Sequence, residues 1–325
     1  MTERRRAVFL GSGVFAVPGL DALASASACR LIAVISAPLR HAGRGGNVLP
    51  TPVHGRAAEL RLPTLTPERL RAPEAVAALA GLAPDLLVLA DYGQIVPPAV
   101  LSLPPHGALN LHPSLLPRHR GASPIPAAIL AGDAETGVTL MAMDEGLDTG
   151  PIVAQVRRAL DGTETAPALE ADLANLAADL LAASLQPWLD GRLRALPQAS
   201  QGATLTRPLR REDGRLDPAT GVAQLERMVR AFQPWPGTWF ETEAGRLVVW
   251  AAEAAPGASP ASPSLMGSAI GRLRADGDGL ALEVADGWLR LLEVQLAGGR
   301  RMPGAVLRRG RPGLVESHLL DPSLG

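Results

Sequence analysis

Ala7-Val8-Phe9-Leu10-Gly11-Ser12-Gly13-Val14-Phe15-Ala16 opens on four apolar residues and passes through two glycines into a helical pattern. An uninterrupted apolar run this short reads as a strand covered on both faces, and the glycines allow a tight turn into the helix that follows. The same alternation recurs downstream. Leu31–Ser36, Asp85–Ala90, Ala108–His112 and Val138–Met143 are further apolar runs, while Val14–Ala26, Pro52–Leu60, Pro73–Ala80, Pro124–Leu130 and Ala166–Trp188 carry helical patterns. Strands alternating with helices imply an α/β domain, a Rossmann-like and mostly parallel sheet with crossover helices.

Leu169, Leu173, Leu176, Leu180 and Leu181 give the last helix an apolar stripe, and it is expected to close a first domain at residues 1–189. Residues 190–206 lose all periodicity and are rich in Gly, Pro, Gln, Ser and Thr, as in an exposed linker. A second domain at residues 207–325 begins with a short helix, Val222–Phe232, followed by strands at Trp239–Trp250, Ser268–Ala275, Leu280–Ala285 and Trp288–Leu296. Gly/Asp turns separate them, which predicts a smaller, OB-like β-barrel, with Pro256–Ser264 as a surface loop.

Composition narrows the chemistry. With 325 residues and 47% hydrophobic content, the chain can bury two cores, and its net charge of −1 gives no overall attraction for a polyanion. All 31 basic residues are Arg, which excludes lysine Schiff-base chemistry and leaves cationic contacts to the guanidinium group. Cys29 is the single cysteine, and no Cys/His spacing suits zinc, so no metal is expected and a reducing cytoplasm fits. Arg4-Arg5-Arg6 before an apolar run superficially resembles a leader, but Gly11, Gly13 and Pro18 break the run too early. No stretch approaches the roughly 18 apolar residues of a membrane span.

The Gly11-x-Gly13-x-x-Ala16 pattern sits where a dinucleotide fingerprint would. The acidic residue that would hold a ribose is missing from Val34-Ile35-Ser36-Ala37-Pro38-Leu39-Arg40, which argues against nicotinamide binding. More informative is Leu109-Asn110-Leu111-His112-Pro113-Ser114-Leu115-Leu116-Pro117, at the carboxyl end of an expected parallel strand. Period-two alternation puts Asn110 and His112 on one side, so an amide donor and an imidazole can face a single reacting atom. Further on, Asp144-Glu145-Gly146-Leu147-Asp148-Thr149-Gly150 supplies carboxylates on a glycine-flanked loop, with Asp148 the candidate partner of His112.

These segments resemble the methionyl-tRNA formyltransferase family along nearly the whole chain. The likeness is carried by Gly11–Leu23, Ala42–Val53, Ala90–Pro97, Leu109–Pro126, Gly132–Asp148, Leu205–Asp217 and Val229–Trp239. The Asn-x-His…Asp trio and Ser-Leu-Leu-Pro are shared with all folate-dependent formyltransferases, whereas AGRG and RAFxPWPG are narrower. The resemblance implies transfer of a formyl group from 10-formyltetrahydrofolate to the α-amine of initiator methionyl-tRNA, in translation initiation. It implies Asn110, His112 and Asp148 as the catalytic trio. Folate is expected at Ser114, Leu115, Leu116 and Pro117, at Gln94, Ile95 and Val96, and at Asp144. Arg44 is expected to reach the acceptor end of the tRNA, and Asp148 to raise the pKa of His112.

The second domain counts 15 Arg against 14 acidic residues, so an RNA surface there must be a local patch. Arg300, Arg301 and Arg308, with Arg309 and Arg311, are the candidates, and Trp235 and Trp239 are expected in the barrel core. The reading is of a cytoplasmic monomer without membrane contact. The alternative is a formyltransferase for an amino-sugar nucleotide or another small amine.

Overall fold

The computed structural model describes residues 4–42, 47–255 and 270–320. It divides into two compact units, one formed by Met1–Ile125, Ala134–Leu160 and Ala168–Arg207, the other by Pro126–Asp133, Asp161–Pro167 and Pro208–Gly325. In chain order the first strands and helices are β1 (Arg5–Gly11), α1 (Ala16–Ser25), β2 (Cys29–Ile35), β3 (Arg40–Ala42), β4 (Asn47–Leu49), α2 (Pro52–Glu59), β5 (Thr64–Leu65) and α3 (Pro73–Gly81). There follow β6 (Leu86–Ala90), α4 (Pro98–Leu101), β7 (Ala108–His112), β8 (Arg120–Gly121), α5 (Pro124–Ala131), β9 (Glu135–Ala142), β10 (Ile152–Ala159), α6 (Ala166–Leu189) and β11 (Leu205–Thr206).

Seven strands form one sheet in the order β10-β9-β7-β6-β1-β2-β5. The five strands from β7 to β5 run parallel, and β9 and β10 add to the β7 edge antiparallel. The parallel strands are apolar throughout because both faces are covered: Leu86, Leu87, Val88, Leu89 and Ala90 are all buried. On one face Val8, Leu10, Ala33, Ile35, Leu87 and Leu89 pack with Leu70, Leu79 and Val100. The stripe of α6 falls at Leu169, Leu173, Ala177, Leu181 and Leu185, a strict four-residue spacing that leaves Leu176 and Leu180 at its margin. At the turn from β1 into α1, a Cβ on Gly11 would stand 2.8 Å from the Ala90 carbonyl and 3.0 Å from Ala16 Cβ, so only glycine lets the helix close on the sheet there. Thr51 caps α2, its hydroxyl accepting from the His54 N–H at 3.1 Å, and Pro52 begins the helix where no intrahelical N–H is needed.

The second unit contains α7 (Val222–Ala231), β12 (Thr238–Thr242), β13 (Gly245–Ala254), β14 (Leu273–Asp276), β15 (Gly279–Val284), β16 (Gly287–Leu296), β17 (Met302–Pro303) and α8 (Gly304–Gly310). Its strands form an antiparallel sheet in the order β12-β13-β16-β15-β14, with β17 on β16. Phe240, Leu247, Val249, Leu280, Leu282, Leu289 and Leu291 alternate inward to one core that Leu225, Val229 and Leu307 complete. The expected strand Trp239–Trp250 is a hairpin, β12 and β13, because Gly245 takes φ +105° and Thr242 pairs directly with it across the turn. The expected strand Ser268–Ala275 is Leu273–Asp276, its first two positions and the loop Pro256–Ser264 lying outside the described residues. Trp239 stands outside the core cluster: it is half-buried, with the Arg246 guanidinium stacked 3.7 Å from its ring, and Trp235 is exposed.

Candidate active site

Asn110 and His112 lie on β7 with their side chains on the same side, between parallel β6 and antiparallel β9. Asn110 is half-buried, and its carboxamide makes no hydrogen bond among the described residues. His112 is buried, and its Nε2 lies 2.9 Å from the His119 carbonyl. A carbonyl only accepts, so Nε2 carries the proton and the neutral ring presents a bare lone pair at Nδ1. That nitrogen faces Asp148 Oδ2 at 3.7 Å, too far for a hydrogen bond and close enough for a strong charge interaction. Burial lowers the His112 pKa, and the Asp148 carboxylate and the His119 carbonyl offset this only in part. Asp148 raises the His112 pKa as expected, but burial outweighs it, so the balance favours the neutral imidazole rather than the protonated one the resemblance implies.

Asp148 follows β9 in the left-handed region, φ +52°, a conformation that Asp tolerates better than most residues. Its Oδ2 accepts the Gly121 N–H at 2.8 Å, and its carbonyl accepts from Gln198 Nε2 at 2.8 Å. Gln198 also donates to the Gly150 carbonyl at 2.7 Å and accepts from Arg120 at 2.7 Å. Gly121 must be glycine, since a Cβ there would lie 2.2 Å from the Thr206 carbonyl where β11 pairs with β8. The stretch expected as a mere connector is thus stitched to the site through Leu196, Gln198 and Leu205-Thr206. Gln198, Arg120 and Gly121 are functional candidates that sequence reasoning passed over. Arg120 and Gly121 stand inside a quoted motif, whereas nothing periodic or compositional marks Gln198.

The Ser114–Pro117 turn is held from beneath. Ser114 is fully buried and donates to the Arg118 carbonyl at 2.7 Å, while buried Thr139 donates to the Ser114 carbonyl at 2.7 Å and accepts from the Leu116 N–H at 3.1 Å and from Gln155 at 2.8 Å. Ser114 and Leu116 therefore shape the turn rather than present side chains, and the peptide before Pro117 is cis. Gln94 bridges to the backbone of Leu70 and Pro67 at 2.8 and 3.1 Å, and Val96 is core. Ile95 is 90% exposed, Leu147 61% and Val14 56%, large apolar side chains left uncovered on loops at the strand ends. Asp144 closes its own loop by accepting from Thr149 at 2.8 Å and from the Gly146 N–H at 3.0 Å.

Residues 4–185 match the family model described as formyl transferase, and residues 208–312 match the formyl transferase C-terminal domain. A methionyl-tRNA formyltransferase from Roseiflexus castenholzii is 43% identical over 305 residues, covering 94% of this chain and 96% of the relative. The chain belongs to the methionyl-tRNA formyltransferase family. A second family member, from Rhizorhabdus wittichii, is 43% identical over 308 residues, covering 94% of this chain and 95% of the relative. Among solved structures, an N-formyltransferase from Helicobacter canadensis, in complex with folinic acid and dTDP-3-aminofucose, superposes with a TM-score of 0.61. At 14% identity, covering 92% of this chain and 100% of that one, the match shows a shared fold.

Family membership gives the arginine candidates their interest. Arg44 lies outside the described residues. Arg301 pairs with Glu293 and lies 5.0 Å over the Trp250 ring, and Arg308 donates to the Gly277 and Gly279 carbonyls, so both guanidinium groups are already engaged. Arg300, Arg309 and Arg311 are exposed and make no ion pair among the described residues. No helix among the described residues is long and apolar enough to cross a membrane, and no His/Cys/Asp/Glu group there could hold a metal ion.

Proposed function

We propose that this chain transfers the formyl group of 10-formyltetrahydrofolate to the α-amine of initiator methionyl-tRNA, acting in the cytoplasm. The donor supplies a formyl carbon on a nitrogen that can leave. Two features suit it: the unpartnered Asn110 carboxamide, which can donate to a formyl oxygen, and exposed Ile95 beside the Gln94–Val96 strap, which offers a planar ring an apolar surface. Backbone groups of the braced Ser114–Pro117 turn would border the same ligand.

The roles of the side chains follow from their protonation. Nucleophilic attack by an amine puts negative charge on the formyl oxygen, and Asn110 would stabilise it by hydrogen bonding. His112 cannot do the same while Nε2–H is committed to His119, so its task would be to accept the proton of the attacking amine at Nδ1 and return it to the folate nitrogen as the formyl C–N bond breaks. The charge gained there falls beside Asp148, which turns an unfavourable buried imidazolium into a paired one. Gln198 and Gly121 would hold Asp148 at the required separation. Arg300, Arg309 and Arg311 would supply RNA phosphate contacts.

The observation that carries this reading is the meeting of a buried imidazole, a fixed carboxylate and an unpartnered amide at the end of β7, in a chain related along its length to enzymes of this name. The test is formylation of charged initiator tRNA by the purified chain with 10-formyltetrahydrofolate, run beside charged elongator tRNA and a dTDP-amino sugar. Preferential product on initiator tRNA is expected. Product on the sugar alone would select the alternative acceptor class, and no product on any acceptor would refute both.

A further inference from the structure

Thr204-Leu205-Thr206 belongs to a stretch with the composition of a connector, yet it alternates as a strand does. Leu205 is 75% exposed, while the threonine hydroxyls on either side of it meet the turn that runs from Pro117 to Ser123. The Thr206 hydroxyl accepts the Ser123 N–H at 3.0 Å and donates to the Arg120 carbonyl at 2.9 Å. Leu205 and Thr206 pair in parallel with Arg120 and Gly121, and upstream Leu196 exchanges two hydrogen bonds with Ile152 at 2.7 and 2.8 Å. The stretch is thus laid as a strap along the candidate active site.

Thr204 is the residue of the strap that bears on His112. His119 takes the left-handed conformation at φ +57°, which aims its own N–H and that of Arg120 to one side. Thr204 meets both of them: its hydroxyl accepts the His119 N–H at 2.8 Å, and its carbonyl accepts the Arg120 N–H at 2.9 Å. Its own N–H donates to the Pro117 carbonyl at 3.3 Å. The outer side of Thr204 is exposed, but the His119 it holds is buried. In a trans peptide the carbonyl points opposite to the N–H. Holding the Arg120 N–H against Thr204 therefore turns the His119 carbonyl the other way, where His112 Nε2 lies 2.9 Å from it. The contacts to His112 and to Thr204 are made by opposite ends of a single peptide group.

That peptide decides between two forms of the neutral imidazole, which carries one N–H on either nitrogen. Asp148 Oδ2 stands 3.7 Å from Nδ1, and a carboxylate favours a proton on the nitrogen that faces it. Asp148 alone would draw the proton to Nδ1, and a proton already there leaves no lone pair for that of an attacking amine. The His119 carbonyl counters this by accepting from Nε2. We propose that Thr204 is a positioning residue: by orienting the His119–Arg120 peptide it keeps the His112 proton on Nε2 and the Nδ1 lone pair open to act as the base. This deepens the function proposed above and rests on His112 being the proton acceptor.

The test is Thr204→Val, which keeps the shape and the backbone hydrogen bonds of Thr204 and removes the acceptor of the His119 N–H, with Thr204→Ser as its control. Nitrogen NMR of labelled histidine at alkaline pH shows which ring nitrogen bears the proton, and His112 is identified by its absence from His112→Gln. The wild type is expected to carry the proton on Nε2. In the valine variant part of it moves to Nδ1 and kcat falls roughly tenfold, the size of one lost hydrogen bond, while the KM values for tRNA and 10-formyltetrahydrofolate stay within about twofold. Serine restores both the Nε2 form and the rate. An unchanged tautomer in the valine variant, KM values that rise in step with the loss of rate, or a serine variant as impaired as valine overturns the proposal. Should the valine variant not fold, wild-type hydrogen exchange decides: slow exchange at the His119 and Arg120 amides supports the clamp, and fast exchange at either overturns it. If the wild type formylates no acceptor, the parent reading fails, and the tautomer in wild type and variant still decides the role of Thr204.

Discussion

Replacing Asp148 by Asn retains an oxygen for the Gly121 N–H and removes the negative charge 3.7 Å from His112 Nδ1. Once the imidazole has taken a proton, the lost attraction is about 4 kcal/mol at an effective dielectric of about 20. A proton half-transferred in the transition state forfeits about 2 kcal/mol, so kcat should fall roughly 30-fold, and about a thousandfold if transfer is complete. The assay is initial formylation rate at saturating donor and acceptor across pH 5 to 9. Activity falls on the acid side as His112 protonates, and because the Asp148 charge raises the His112 pKa, Asp148→Asn should move that limb to lower pH. Unchanged kcat, or an acid limb moving upward, would refute proton acceptance at Nδ1. A melting temperature close to wild type would confirm that the retained Gly121 contact preserves the loop.

Asn110→Ala should lower kcat about a hundred- to a thousandfold with little change in folate affinity, and equal losses in both would contradict a role confined to the developing oxyanion. Thr139→Val leaves the Leu116 N–H, the Ser114 carbonyl and Gln155 without their buried partner, so denaturant unfolding should register a loss of about 2–4 kcal/mol. A Tm within a degree of wild type would show that the turn is braced elsewhere. Asp91→Asn should raise Tm at pH 8 and not at pH 4: burial raises this carboxyl from 3.8 to about 6, so its ionised form weakens the fold above that window, and the gain should vanish where it is protonated. Replacing Arg300, Arg309 and Arg311 together by Ala should weaken tRNA binding and flatten its salt dependence, and an unchanged slope would clear this patch of phosphate contacts.

The strands at Ala7–Leu10, Asp85–Ala90 and Ala108–His112 were legible because doubly covered strands must be apolar at every position, whatever their neighbours. The same strand arithmetic aligned Asn110 with His112. The edge strand β10 escaped notice, since only Val153 among its residues is buried and its pattern is that of surface. The hairpin of β12 and β13 reads as one strand in the sequence because its turn contains no Asn-Gly or Pro, only Gly245 at its far side.

What the residues alone determined were the properties carried by local patterns: the alternating α/β half, the strand-borne half that follows, and the short motifs whose chemistry can be named. Tertiary structure decided everything that depends on distant segments meeting. Gln198 reaches Asp148 across 50 positions of chain, and the His119 carbonyl settles which imidazole nitrogen bears the proton. Burial, invisible in composition, outweighs the Asp148 charge and lowers the His112 pKa, and the fold sets the second glycine of the glycine loop against the Asp91 carboxylate. Hydrogen bonds and desolvation depend on what surrounds a group, and the chain specifies those surroundings only once it has folded.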